Sequence, residues 1–268
     1  MYKNKFIVNN HDRSYYELYI IMMQITPHNK KKIISVLGMP HAGTTIVCNI
    51  FNSMDNVFCL SEPHWTLLSN PSALRLDKAL GLNITSPDEV LNKIRAKLNS
   101  DNKLQFAGLK ETYRPKEPRM KKYFKNMLDS DIVTFIFREP KAHYNSFKLL
   151  SKRHNKNPMP IEFMIDSYES LYNALLATKK TGISIILEDL CGAGDANAIK
   201  YINSRAKNIF AINGPFDLKP TNYIYGNHQA NRSKKIAKAN TSIDLLTPAE
   251  IKILNDKLLP KYELLRSI

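Results

Sequence analysis

Apolar positions along this chain follow two rhythms. Short, nearly unbroken runs occur at "KKIISVL" (31–37), "NVFCL" (56–60), "LQFAGLK" (104–110), "DIVTFIF" (131–137) and "GISIILEDL" (182–190), the pattern of strands buried on both faces. Between them, apolar residues recur every three or four positions in "TTIVCNIFNSM" (44–54), "TSPDEVLNKIRAKLNS" (85–100), "EPRMKKYFKNML" (117–128), "KAHYNSFKLLSKR" (141–153) and "PIEFMIDSYESLYNALLATKK" (160–180). These spacings predict helices. The helix at 85–100 carries its own start signals, with Ser86 as N-cap, Pro87 at the first helical position and Glu89 three residues after the cap. Strands alternating with helices predict an α/β fold, a parallel sheet with helices on both faces and ligands bound beyond the carboxyl ends of the strands. Glu62, Lys110, Arg138 and Glu188 each stand at or just past such an end. A single domain over 31–268, preceded by an N-terminal extension of residues 1–30, accounts for the pattern, and the stretch from about 205 to 245 is too irregular to assign.

Charge narrows the partners. Thirty-nine Lys and Arg against 24 Asp and Glu give a formal net charge of +15, so the summed field attracts polyanions: nucleic acid, a charged nucleotide, an acidic membrane face or an acidic glycan. The three cysteines, Cys48, Cys59 and Cys191, are too few and too scattered for a disulfide framework, and none forms a CxxC pair. A reducing compartment and no bound metal are expected. The apolar stretch "YELYIIMMQI" (16–25) is broken by Glu17 and falls short of the ~20 residues that span a bilayer. It follows a polar, charged leader unlike a cleavable signal. The expectation is a cytoplasmic protein without a transmembrane segment, for which peripheral membrane contact stays open.

The chemistry concentrates in "SVLGMPHAGTTIV" (35–47), where Gly38 and Gly43 have the spacing of a Walker A loop but Thr44 stands where that loop has lysine. Backbone N–H groups of a glycine loop that opens a helix still suit a phosphate, because the helix N-terminus adds partial positive charge. In a second segment, "FIFREPKAHYNSF" (135–147), Arg138 ends a strand and Ser146 follows eight residues later. Two turns of helix can bring that hydroxyl back toward the guanidinium.

Together these segments resemble the PAPS-dependent sulfotransferases, which use 3′-phosphoadenosine 5′-phosphosulfate (PAPS) as sulfuryl donor. The loop Pro40-His41-Ala42-Gly43-Thr44-Thr45 is similar to the family's PxxGTT element for the 5′-phosphosulfate, and Arg138-Glu139-Pro140 with Ser146 is similar to its element for the 3′-phosphate. "SEPHW" (61–65), "LEDL" (187–190) and "YGNHQANR" (225–232) follow in the family's order, so the likeness spans roughly residues 31–235 and implies a P-loop-type fold. The family usually carries Lys or Arg at the position of His41, and an imidazole with an ordinary pKa near ~6.5 is a weaker cation. The resemblance implies that Glu62 is the base that takes the acceptor proton, that Lys110 supplies positive charge near the transferring group, and that Arg232 reaches the 3′-phosphate. His64 is the alternative base. Glu188 and Asp189 are expected to hold the architecture.

The implied activity is in-line sulfuryl transfer to a hydroxyl, with a carbohydrate or glycolipid as the acceptor class and no nucleic acid. Two other readings compete. One is a degenerate P-loop NTPase or small-molecule kinase, which lacks both the loop lysine and a convincing Walker B aspartate. The other is a basic polyanion-binding module, for which no interleaved aromatic and basic stretch is present.

Overall fold

The computed structural model describes residues 31–69, 82–178, 182–206, 236 and 238–267. Five parallel strands, β1 (Lys32–Gly38), β2 (Val57–Ser61), β3 (Phe106–Thr112), β4 (Ile132–Phe137) and β5 (Gly182–Ile186), form one sheet in the order β2-β3-β1-β4-β5. Every parallel pair requires a crossover. The helices supply them: α1 (Thr44–Asn52), α2 (Pro63–Ser69), α3 (Val90–Ser100), α4 (Pro118–Leu128), α5 (Pro140–Arg153) and α6 (Ile161–Ala177). After β5 come α7 (Leu187–Ala193) and α8 (Asp195–Arg205), and the chain closes with α9 (Pro248–Lys257) and α10 (Leu259–Ser267). The α/β class and the parallel sheet expected from the alternation are those observed. The N-terminal extension with its apolar stretch, and the 225–232 segment with Arg232, lie outside the described residues. No helix among the described residues is long and apolar enough to cross a membrane.

The central strands are apolar on both faces because both faces are covered: Ile34, Val36 and Leu37 of β1 and Val133, Phe135 and Ile136 of β4 are fully buried, each worth roughly 1.5–3 kcal/mol relative to exposure. Against this background the polar residues stand out. Lys110 and Glu111, inside β3, are both 0 % exposed.

Two element boundaries differ from the sequence pattern. The apolar run 182–190 is a strand only to Ile186, and Leu187 to Ala193 is helical. Leu187 and Leu190 are both buried at helical spacing, and Leu187 closes over Gly43 of the glycine loop, because a Cβ there would collide with its side chain. Glu188 therefore lies in a helical first turn. The predicted helix at 85–100 opens as a single 3-10 turn, Pro87–Glu89, before α3 begins. Ser86 does cap it, accepting from the Asp88 N–H at 3.2 Å, but Glu89 reaches back to the N–H and hydroxyl of Thr85.

Candidate functional site

The carboxyl ends of β1, β2, β3 and β4 converge on the glycine loop. Gly38, the last residue of β1, pairs with Thr112 of β3 on one side and Ile136 of β4 on the other, and its carbonyl accepts from the Tyr113 N–H at 2.7 Å. The loop then turns through two left-handed residues, His41 (φ 63) and Gly43 (φ 91). Gly43 is the N-cap of α1, and no side chain caps that helix. Its first-turn N–H groups therefore face the mouth of the loop, where a helix N-terminus favours an anion. Met39 and Ala42 are buried while His41 is exposed, so the loop is anchored by its apolar residues and presents its imidazole outward, against the edge of Phe147 at 5.3 Å between ring centroids.

On the β2–β3 side lies an acid–base cluster. Glu62 follows β2 with a left-handed backbone (φ 53), and its N–H donates to the Lys110 carbonyl at 2.6 Å. The carboxylate accepts from Lys110 Nζ at 3.0 Å and from the Thr112 hydroxyl. Burial alone would raise the Glu62 carboxyl, but the Lys110 charge, the bonds from Thr112 and Lys110 and the nearby Arg114 outweigh it, so the group lies below its ordinary range. Lys110, read from the sequence as a strand-end lysine, is fully buried within β3.

Successive β3 residues face opposite ways, which sends Glu111 to a different partner. Its Oε1 accepts from the His64 backbone N–H at 2.7 Å and lies 3.2 Å from His64 Nδ1. The His64 ring is stacked on Tyr123 at 4.4 Å and lines a groove of about 420 Å³ between α3 and α4. His64 is thus held by a carboxylate of its own.

On the β4 side, Arg138 is 7 % exposed. Its Nη1 donates to the His41 carbonyl at 3.0 Å and its Nη2 to the Asn240 carbonyl at 2.5 Å, while Nε has no hydrogen-bond partner among the described residues. The nearest carboxylate of its ion pair, Glu188 Oε1, is 3.8 Å away. Burial draws the guanidinium down from its ordinary value despite Glu188, Cys191 and Glu139. Burial also raises Glu188, against hydrogen bonds from backbone N–H groups and Tyr262 and the pull of Arg138. At 3.8 Å and without a direct hydrogen bond, the carboxylate compensates the arginine less than a contact pair would. Asp189 is paired with Arg266 at 2.9 Å, and Ser146 lies half-buried on α5.

Three residues that the sequence reading passed over complete the site. Thr112 bonds Glu62, Glu111 holds His64, and His143 donates to the Pro40 carbonyl at 2.6 Å.

Two solved structures share this arrangement of elements. The sulfotransferase domain from the curacin biosynthetic pathway superposes with a TM-score of 0.58 at 14% identity, covering 85% of this chain and 97% of its own. The sulfotransferase domain from the Synechococcus PCC 7002 olefin synthase gives 0.55 at 15% identity, covering 90% and 96%. The fold is sulfotransferase-like. No protein-family model matches the chain, and no curated protein matches it in sequence.

Proposed function

We propose that the protein is a sulfotransferase that uses PAPS as donor and a hydroxyl, of a carbohydrate or glycolipid, as acceptor. The observation that carries the reading is the buried Arg138, whose hydrogen bonds among the described residues go to two carbonyls, with Glu188 standing off at 3.8 Å, and which sits beside a glycine loop whose helix lacks a side-chain cap. A buried cation so weakly compensated is costly unless an anion arrives. The residues suit a nucleotide with two separate anionic groups: Pro40, His41, Ala42, Gly43, Thr44 and Thr45 for the 5′ side, Arg138 and Ser146 for the 3′-phosphate, and Arg232 as a further contact. Arg138 spends one N–H of Nη1 and one of Nη2 on the two carbonyls and leaves Nε without a hydrogen-bond partner among the described residues, so donors remain for a phosphate.

When bound, PAPS supplies an activated sulfuryl group whose transfer needs little covalent help from protein. Glu62 accepts the acceptor hydroxyl's proton. Its lowered pKa makes it a weak base, suited to taking that proton late, when the oxygen has become acidic. Lys110 fixes the carboxylate and contributes a positive charge in a site from which water is largely excluded. Thr112 holds the same carboxylate oxygen from its other side. His41 donates a hydrogen bond on the 5′ side of the loop. The net charge of +15 favours an anionic donor and an acidic acceptor surface alike.

The test is ligand binding followed by turnover. Adenosine 3′,5′-bisphosphate should raise Tm without added metal and adenosine 5′-monophosphate much less, because a native-state ligand stabilises by mass action. Incubation with PAPS and a glycan should add about 80 Da to the acceptor, the mass increment of SO₃, with turnover of the order of 1–10³ per second for a competent enzyme. Equal Tm shifts from the two nucleotides would remove the 3′ role of Arg138, and ATP binding that requires Mg²⁺ would favour a kinase instead.

A further inference from the structure

His143 is a buried histidine with no part in the proposed chemistry. It lies in the first turn of α5, 1 % exposed, three residues before Ser146. Its Nε2 is 2.6 Å from the Pro40 carbonyl, an oxygen that can only accept, so the proton is on Nε2. Its Nδ1 is a buried lone pair with no hydrogen-bond partner among the described residues. Burial, assisted by the charges of Arg138 and His41 and opposed by the Pro40 bond, lowers the imidazole to about 3, so it stays neutral and in one tautomer at working pH. The ring stacks on Phe147 at 5.2 Å, and Phe147 also packs edge-on with the His41 ring. One helix thus grips two consecutive loop residues: Pro40 through the His143 hydrogen bond and His41 through Phe147. Arg138, just before the same helix, grips the His41 carbonyl. These three contacts surround the left-handed backbone of His41 (φ 63), a conformation that a non-glycine residue keeps only when its surroundings hold it there.

We infer that His143 is a positioning residue for the 5′ side of the donor loop, fixing the Pro40–His41 peptide so that the loop's N–H groups face the incoming anion, and that it ties the 5′ subsite to the helix carrying the 3′ subsite. This inference rests on the nucleotide reading given above. It touches neither donor nor acceptor. An apolar residue of similar size fills the space but leaves the Pro40 carbonyl without its donor, and the loop then relaxes away from the geometry that the 5′ group needs.

Calorimetry with three nucleotides separates positioning from plain structural support. In His143→Leu, affinity for adenosine 5′-monophosphate and for adenosine 3′,5′-bisphosphate should each fall about tenfold, the scale of losing one well-placed hydrogen bond with its consequences. Affinity for adenosine 3′-monophosphate, which meets only the Arg138 side, should stay within about twofold of wild type. His143→Gln places an amide nitrogen at the reach of Nε2 and should restore binding; His143→Asn, one bond shorter, should not. If the leucine variant fails to fold, the glutamine and asparagine variants carry the same comparison. Equal losses for all three nucleotides, no loss at all, or equal behaviour of Gln and Asn would overturn the inference. If wild type binds none of the three, the nucleotide reading falls and takes the inference with it, an outcome distinct from wild-type binding that His143 variants leave unchanged.

Discussion

Two corners of the same strand edge treat a buried cation in opposite ways. At the β2–β3 corner, Lys110 lies 3.0 Å from the Glu62 carboxylate, and Thr112 adds a further bond to the same oxygen. That corner is electrically complete before any ligand arrives. At the β1–β4 corner, Arg138 has comparable burial, yet its two terminal nitrogens meet carbonyls and its carboxylate stands off at 3.8 Å. A carbonyl carries only a partial charge, so this corner retains net positive potential aimed at the loop. On the proposed function the difference divides the work: the first corner would handle a proton between fixed partners, and the second would accept an anion.

The largest effect should come from breaking the complete corner. Lys110→Met leaves Glu62 buried without its cation, which should cost about 3 kcal/mol or more of stability by denaturant unfolding, as for other broken buried pairs. It should also lower kcat by roughly 10²–10³-fold, the range for loss of one electrostatic stabiliser. Glu62→Gln should lower kcat by ~10²-fold or more while leaving nucleotide affinity unchanged. The double variant sharpens the comparison. If the two side chains act as one unit, its stability should exceed that of Lys110→Met alone, because the unpaired carboxylate is gone. A double variant showing simply additive losses would mean that the pair is not the unit described. Retained activity in Glu62→Gln with an inactive His64→Ala would move the base to His64, although the bond from His64 to Glu111 makes that residue an anchor for the start of α2.

The incomplete corner responds differently. Arg138→Leu should weaken adenosine 3′,5′-bisphosphate by about 1.5–3 kcal/mol, one set of charge-assisted bonds, and abolish the preference over adenosine 5′-monophosphate. It removes a weakly compensated buried charge, so its cost in stability should be smaller than that of Lys110→Met. If Arg138→Leu is the more destabilising of the two, the contrast between the corners is wrong.

Acid should act on the complete corner as well. The Glu62 carboxyl has a folded pKa below its ordinary value of 4.5. The stability it contributes is then fully present above about pH 4.5 and is lost as pH falls through the depressed value, because the unfolded chain binds the proton first. Unfolding of wild type against Glu62→Gln should therefore converge as pH drops below 4.5, and parallel curves through that window would show that the carboxyl is not held down by Lys110.

Much of this was legible in the chain before folding. β4 was readable to within a residue because "DIVTFIF" is apolar on both faces, and the placement of the glycine loop, Arg138 and Glu62 at strand ends was readable because it depends on residue type and local spacing. The end of β5 was not readable: an apolar run reads alike as strand or helix, and Leu187 turns helical where it packs on Gly43, a contact between elements far apart in sequence. Glu111 and His143 escaped for the same reason. Their partners, His64 and Pro40, lie 47 and 103 residues away, and only the sheet register and the helix docking bring them together. Local pattern marks the candidate groups; long-range packing decides which side chains hold them.

The smallest expected effect is at His41, and it asks whether the loop needs a cation of its own. His41 already tolerates φ 63, its backbone carbonyl serves Arg138, and its ring packs edge-on with Phe147. His41→Lys keeps the first two features and gives up an aromatic contact worth about 0.5–1.5 kcal/mol. In return it places a permanent charge on the 5′ side, where negative charge develops on the leaving nucleotide. The expected result is a kcat at least equal to wild type, with loss of any rate change between about pH 6 and 8, where an imidazole titrates. A strongly impaired lysine variant, with His41→Ala worse still, would make the imidazole itself the working group and the 5′ side a third acid–base position. Full turnover and full affinity in His41→Ala would instead leave Lys110 as the sole cation for the leaving group, and the two corners would then share one charge where this reading gives each its own.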